Sequence, residues 1–349
     1  MSNEPAASLP TRQLGSSGLR VSTLCLGTMM FGGTTPDDEG RRIIDAARDQ
    51  GVNFIDTADV YQNGRSEVVT GEAVRAHRQH WVLATKVANP YSAAMNEPMS
   101  GGLSRRWIMR ACDLSLKRLG TDVIDLYYTH KVDPAVSWRD VVLSFGDLIR
   151  AGKIRYWGLS NVRAWHIAEI CHLCDAMSVP RPVALQPYYN LLNRQPEVEV
   201  LPAARHFGLG VASYSPIARG VLTGKYRASE APAPDTRAGR ADKRMLQNEW
   251  RPESLAMTEQ LAAHAATKGA SLVDFAVAWV LNNKAVTSVI AGPRTYEQWE
   301  SYAPALGYPW GPDDEALVDG LVAPGHPSTP GHTDPSYPIE GRFPSVAAG

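Results

Sequence analysis

Three polar residues close short apolar runs in this sequence. Asp56 ends Asn-Phe-Ile-Asp, Lys86 ends Val-Leu-Ala-Thr-Lys, and His130 ends Ile-Asp-Leu-Tyr-Tyr-Thr-His, while Tyr61 stands in the turn beyond Asp56. A phenol with its unperturbed pKa of about 10 is a slow acid or base near neutrality. An ammonium at Lys86 beside it is expected to favour phenolate and lower that pKa, and Asp56 is expected to hold Lys86 in place and charged. A neutral imidazole at His130 would donate a hydrogen bond to a substrate oxygen and support charge developing there. The chemistry of the set is proton transfer to an oxygen that is becoming negative. Singly, each residue also serves structure: Asp56 as a helix cap, Tyr61 as a surface aromatic, Lys86 in a barrel ion pair, His130 as a core histidine.

Such residues need a scaffold that delivers strand ends to one place. Short β-branched or apolar runs alternate with segments of helical period, the pattern of parallel strands joined by helical crossovers. The strand candidates are Leu24–Gly27, Asn53–Asp56, Val82–Lys86, Ile124–His130, Tyr156–Ser160, Ala184–Pro187, Gly210–Tyr214 and Ser288–Ala291. Eight such strands close into an α/β fold, the (β/α)8 TIM barrel, whose active sites lie at the C-terminal strand ends. Arg12–Val21, with Gly-Ser-Ser-Gly at its centre, reads as an N-terminal hairpin closing the barrel floor. The expected organisation is one barrel domain over 11–322 and a Pro/Gly-rich C-terminal tail over 323–349.

Helix ends are marked locally. Thr35 is placed to cap a helix with Pro36 in its first turn and Gly51 after its last, and Thr295-x-x-Gln298 has a capping-box pattern. Val87–Leu103, Ser215–Pro252 and the stretch from Pro304 onward break the rhythm, and long loops in a barrel usually carry function. The tail is expected to fold as a flap over the barrel mouth.

Composition narrows the partners. With 35 basic and 36 acidic residues and a net charge of -1, the 349-residue chain has no electrostatic footprint for nucleic acid or an anionic membrane. The first ten residues lack a basic and then apolar leader pattern, which implies a cytoplasmic protein. Four cysteines make no disulfide framework, and the Cys171-x-x-Cys174 pair, without a second pair, reads as helix packing rather than a metal site. The sequence leaves homo-oligomer formation open.

The string Gly51-Val-Asn-Phe-Ile-Asp-Thr-Ala-Asp-Val-Tyr61, followed by Ser66-Glu67 and Gly71, resembles the signature of the aldo-keto reductase superfamily. Gly158-Leu-Ser-Asn161, Gln186-Pro-Tyr-Tyr-Asn190, Tyr214 through Lys225 and Ile290-Ala-Gly-Pro-Arg294 through Gln298 are similar to that family's cofactor segments. The resemblance covers about residues 11 to 303 and implies reduction of an aldehyde or ketone to an alcohol, with Tyr61 as proton donor. Asp56, Tyr61, Lys86 and His130 become its catalytic set.

No Rossmann fingerprint is present, and Gly220-Val-Leu-Thr-Gly224-Lys225 fails as a P-loop. The resemblance implies instead a dinucleotide extended across the barrel mouth. In that arrangement Tyr214 stacks on the nicotinamide while Ser160, Asn161 and Gln186 hold its carboxamide, and Gly27, Thr28, Met29 and Asp56 line the same end. The backbone through Ser215, Pro216, Ile217, Ala218, Gly220 and Leu222, by the N–H groups of its non-proline residues, and Lys225 would cradle the pyrophosphate. Arg294, beside Gly292 and the helix start at Thr295, matches a 2′-phosphate, so NADPH is favoured over NADH. Gln298 matches an adenine contact, but Ser301 and Tyr302 stand where the family carries acidic and amide residues. Arg237 and Arg240 are further candidates in the preceding loop.

Met29, Met30, Phe31, Tyr91, Met95, Met99 and Trp138 are placed to line an adaptable apolar pocket. That lining suits aryl aldehydes, quinones or bulky secondary ketones, including terpenoid or mycotoxin-derived ones. Two rival readings use the same residues. One is a Schiff-base aldolase acting through Lys86, and the other is a regulatory subunit that senses bound nicotinamide, a branch in which asparagine typically replaces the histidine at position 130.

Overall fold

Buried strands of a parallel barrel read as continuous apolar runs because both faces are covered. Leu24–Gly27 and Val286–Ala291 are buried at every position. The structure, a computed structural model, describes residues 9–90, 100–228 and 230–338. Chain order begins with an antiparallel hairpin, β1 (Thr11–Gln13) and β2 (Arg20–Ser22), in which Arg12 pairs with Val21. Eight parallel strands follow: β3 (Leu24–Gly27), β4 (Phe54–Asp56), β5 (Val82–Val87), β6 (Ile124–Thr129), β7 (Ile154–Ser160), β8 (Ala184–Gln186), β9 (Gly210–Tyr214) and β10 (Val286–Ala291). They close into a barrel in sequence order, with β10 pairing both β9 and β3. The chain is a (β/α)8 barrel, as the alternation of runs implied.

Helices α1 (Asp37–Asp49), α2 (Arg65–Val74), α3 (Arg105–Leu119), α4 (Trp138–Arg150), α5 (Ala164–Ala176) and α6 (Val200–Phe207) connect successive strands. After β9 come α7 (Lys243–Asn248), α8 (Pro252–Thr267) and α9 (Leu272–Asn282), and after β10 come α10 (Tyr296–Glu300) and α11 (Pro312–Leu321). Among the described residues no helix is long and apolar enough to cross a membrane.

Local signals were partly redirected. Thr35 does not cap α1; its hydroxyl donates to the carbonyl of Arg294 at 2.8 Å and ties the loop after β3 to the loop after β10. Thr295 does cap α10 by accepting from the Gln298 amide, but the Gln298 side chain accepts from the Arg294 amide, one residue before the cap. Cys171 and Cys174 are both buried in α5, and burial pushes their thiols up, to about 11 and about 12. Phe31 and Trp138 lie in the hydrophobic core rather than on the cavity wall. Tyr91, Met95, Met99 and the tail beyond residue 338 lie outside the described residues.

Candidate active site

Three strand ends and one turn meet at the barrel mouth. Asp56 closes β4, Lys86 is the penultimate residue of β5, and His130 directly follows β6. Register does the alignment: Asp56 pairs with Ala84 and Lys86 with Tyr128, so adjacent strands present these side chains at one level. Tyr61 opens a short 3-10 turn whose next two residues, Gln62 and Asn63, have positive φ. That tight turn folds the phenol back over β4 and β5.

Lys86 is fully buried and its Nζ has three partners. It donates to Asp56 Oδ1 at 2.5 Å, to the Thr57 carbonyl at 2.7 Å and to Tyr61 Oη at 3.2 Å. A buried ammonium needs such company, since an unpaired charge in a low-dielectric interior is costly. The second carboxylate oxygen of Asp56 accepts from Gln186 Nε2 at 2.9 Å. His130 sits edge-on to Tyr61, with ring centroids 5.7 Å apart.

Burial reverses one electrostatic expectation. The Tyr61 phenol is raised above its ordinary value because desolvation outweighs the opposing pull of Lys86. The sequence pattern had suggested a lowered phenol; the pattern shows the neighbouring charge but not how thoroughly the oxygen is withdrawn from water. Desolvation also raises Asp56 against the pull of Lys86. Lys86 ends above its ordinary value, burial opposing and Asp56 and Tyr61 prevailing. His130 is held well below the usual imidazole range by burial, with Lys86 and Lys131 adding to the effect.

Asp56, Tyr61 and His130 face a cavity of about 640 Å³, and Lys86 lies behind them, outside its lining. At the catalytic end lie Gly27, Thr28, Met29, Asp56, Tyr61 and His130. Ser160, Asn161, Gln186 and Tyr214 continue the wall and are tied to one another. Ser160 Oγ donates to the Gln186 carbonyl, Asn161 Nδ2 donates to Ser160 Oγ and to the His130 carbonyl, and Tyr214 Oη donates to Asn161 Oδ1 at 2.9 Å. Ser215, Pro216, Ile217, Gly220 and Lys225 line the middle, and Gly292, Arg294 and Gln298 the far end. Gly220 has φ +102°, and a Cβ there would lie 3.4 Å from Lys225 Nζ, so its bare Cα leaves the ammonium room.

Ala218 and Leu222 differ from the rest of the expected set. Both are buried in the core, and the amides of Ala218, Gly220 and Leu222 donate to Ser215 and Ile217 carbonyls within the loop. Those three N–H groups are therefore engaged in shaping the loop. Positive charge is supplied more broadly than expected: Arg219 and Arg244 line the cavity together with Arg237 and Arg240. Arg219 pairs with buried Glu249, and Arg237 lies 3.6 Å from Asp242. Tyr337 lines the cavity from the tail. The sequence signal for Arg219 and Arg244 was the density of arginines from 219 to 251; Tyr337 had none.

Similarity to known proteins agrees with this architecture. Over 294 residues the chain is 40% identical to "Uncharacterized oxidoreductase YrpG" of Bacillus subtilis, covering 82% of this chain and 87% of that protein. It is 36% identical over 292 residues to "Probable voltage-gated potassium channel subunit beta" of Oryza sativa subsp. japonica, covering 82% and 88%. A Schizosaccharomyces pombe protein, "Putative voltage-gated potassium channel subunit beta", is 35% identical over 299 residues, 83% of this chain and 86% of its own. The Aldo/keto reductase family model spans residues 23–322, from the strand that opens the barrel to the helix that follows its last loop, and the chain is an oxidoreductase belonging to that family.

Proposed function

We propose that this protein reduces an aldehyde or ketone to an alcohol with NADPH, Tyr61 supplying the proton. The observation that carries the reading is the Tyr61 hydroxyl, bonded to the fully buried Lys86–Asp56 pair and facing a cation-lined cavity. The residues present fit a dinucleotide: the cavity volume is in the range of cofactor sites, and Lys225 with five arginines outnumbers its carboxylates. Ser160, Asn161 and Gln186 are assigned to the nicotinamide carboxamide, Tyr214 to its ring, Lys225 and the Ser215–Gly220 segment to the pyrophosphate, Arg294 to a 2′-phosphate and Gln298 to adenine. NADH is the less favoured alternative. Bound NADPH supplies a hydride to the carbonyl carbon.

The protein's own part is protonic and positional. Tyr61 is a phenol, not a phenolate, at neutral pH, so it enters the reaction holding the proton it gives to the alkoxide oxygen. Lys86 lowers the cost of the phenolate left behind, and Asp56 keeps Lys86 charged throughout. Among the described residues His130 Nδ1 is buried without a hydrogen-bond partner, an arrangement tolerable for a bare lone pair but costly for an N–H. The neutral ring accordingly carries its proton on Nε2, available to the substrate oxygen. An aryl aldehyde, quinone or bulky secondary ketone is the proposed substrate class. Following NADPH absorbance against such carbonyls tests the reading; no consumption with any of them at millimolar concentration overturns it.

Two other readings concern the same residues. A Schiff-base aldolase requires a free lysine amine, whereas all three Lys86 donors are engaged behind Tyr61. The rice and fission yeast relatives are named as voltage-gated potassium channel beta subunits, which favours a regulatory-subunit reading. Tight NADPH binding with no turnover of any carbonyl would select it.

A further inference from the structure

The family match ends at residue 322, yet the chain continues along the mouth of the barrel. Backbone bonds first fix the segment to the loop after β8: the Arg194 amide donates to His326 O at 3.0 Å, and the Ser328 amide to Leu192 O at 2.9 Å. The Ser254 and Ser328 hydroxyls then meet at 2.9 Å in a buried contact with α8. Arg244 grips Asp334 with both guanidinium nitrogens, at 2.9 and 2.5 Å, and reaches Ser336 Oγ at 2.7 Å. Finally Arg163, just before α5, donates to the carbonyls of Tyr337 and Pro338 at 3.1 and 2.7 Å.

These anchors come from separate parts of the barrel rim and fix the backbone on both sides of one residue. Tyr337 is half-buried and its ring completes the wall of the cavity that also holds Tyr61, His130 and Tyr214. Burial raises its phenol, with Asp334 adding to the effect and Arg244 and Arg219 opposing it. A bidentate arginine–carboxylate pair is the geometry used where a fixed orientation is required. A tyrosine face held in this way offers a flat, rigid surface to a second ring.

Resting on the reductase reading, we infer that Tyr337 is a specificity-determining residue, which packs against the substrate and selects carbonyls carrying an aromatic ring over short aliphatic ones. Asp334, through Arg244, is its positioning residue. In Tyr337→Ala the ratio of kcat/KM for benzaldehyde to that for propanal is expected to fall at least tenfold, chiefly through the KM for benzaldehyde. Tyr337→Phe keeps the ring and retains the ratio. Asp334→Asn lowers the ratio in the same direction and speeds amide exchange across 329–338 while leaving the thermal midpoint of the barrel within a few degrees. An unchanged ratio in Tyr337→Ala, or equal losses for both aldehydes, overturns the inference.

Binding without turnover separates this inference from the reading beneath it. Benzyl alcohol and propan-1-ol are followed by saturation-transfer NMR on the full chain with NADPH present, a pair that holds no hydride acceptor. A selective loss of benzyl alcohol binding in Tyr337→Ala upholds the ring contact even if no aldehyde is reduced. Turnover of both aldehydes with benzyl alcohol binding indifferent to residue 337 leaves the reductase reading standing and removes Tyr337 from it.

Discussion

Gln186 Nε2 donates to Asp56 Oδ2 at 2.9 Å, leaving the other carboxylate oxygen to Lys86. Asp56 thereby links the wall assigned to the nicotinamide with the ammonium behind Tyr61. Asp56→Ala should strand a fully buried charge at Lys86, and breaking such a pair costs about 3–5 kcal/mol. Urea unfolding should show a lowered midpoint with an unaltered slope. Stability equal to wild type would mean that Lys86 is neutral or finds another anion.

Tyr61→Phe removes the hydroxyl that contacts Lys86 and leaves the ring in place. Carbonyl reduction should fall by roughly 10²–10⁴-fold, the span ascribed to one positioned acid. NADPH affinity, read from fluorescence quenching, should stay within about threefold because no phosphate or carboxamide contact is assigned to this residue. Retained turnover would shift the proton donor elsewhere.

The fold and the reacting set were legible for different reasons. Apolar runs closed by one polar residue give both a barrel strand and the identity of its mouth-facing end, as at Asp56 and Lys86, so period and polarity suffice. The raised Tyr61 phenol was illegible because desolvation depends on what covers the oxygen, which no neighbouring residue type encodes. Thr35 looked like a cap, but the Arg294 carbonyl, 259 positions away in sequence, takes its hydroxyl. Tyr337 was hidden for the same reason, since its place is set by Arg244 and Arg163, which lie far from it along the chain.

The titration of His130 gives a stability signature. Its folded pKa is depressed below the unfolded value of about 6.5, so acidification protonates the unfolded chain first. The stability due to the neutral ring is fully present above about pH 6.5 and is lost as pH falls from there through the folded pKa, at up to about 1.36 kcal/mol per pH unit. Replacing His130 by Asn should flatten this slope between pH 6.5 and 5. An identical slope in the variant would show that the imidazole is not the group responsible.

Tyr61 predicts the opposite limb. Reduction uses the protonated phenol, and because its pKa is raised, kcat should be level from pH 7 to 9 and decline only above about 10. Alcohol oxidation, which needs the phenolate, should rise with pH over the same range. A reduction rate already halved at pH 8 would contradict a raised phenol.

Gly158 opens the Gly-Leu-Ser-Asn segment because β7 passes close to β6 and β8. A Cβ there would come within 2.5 Å of Tyr128 Cε1 and 2.9 Å of the Ala184 carbonyl. Gly158→Ala should therefore destabilise the barrel by about 1–3 kcal/mol, the usual cost of overpacking a core. Because Ser160 ends the same strand and Asn161 directly follows it, the KM for NADPH should rise in parallel. A stable variant with altered KM would place the strain in the site alone.

Arg294 isolates the basis of cofactor choice. The sequence offered two sources of 2′-phosphate affinity, a guanidinium and free amides at the following helix start. The amides of Arg294, Tyr296 and Gln298 are taken by Gln298 Oε1, Glu39 Oε1 and Thr295 Oγ1. Among the described residues the guanidinium keeps a single long bond, to the Asp235 carbonyl at 3.2 Å, which a phosphate can displace. Arg294→Ala should then remove a charge-assisted contact worth about 1.5–3 kcal/mol, roughly 10- to 150-fold in the Kd of NADPH. NADH lacks the 2′-phosphate and should change by less than about threefold, as calorimetry with both cofactors would reveal. Matched losses would assign phosphate reading to Arg237 or Arg240 on the facing loop, and the double variant at those two positions would then carry the selective effect.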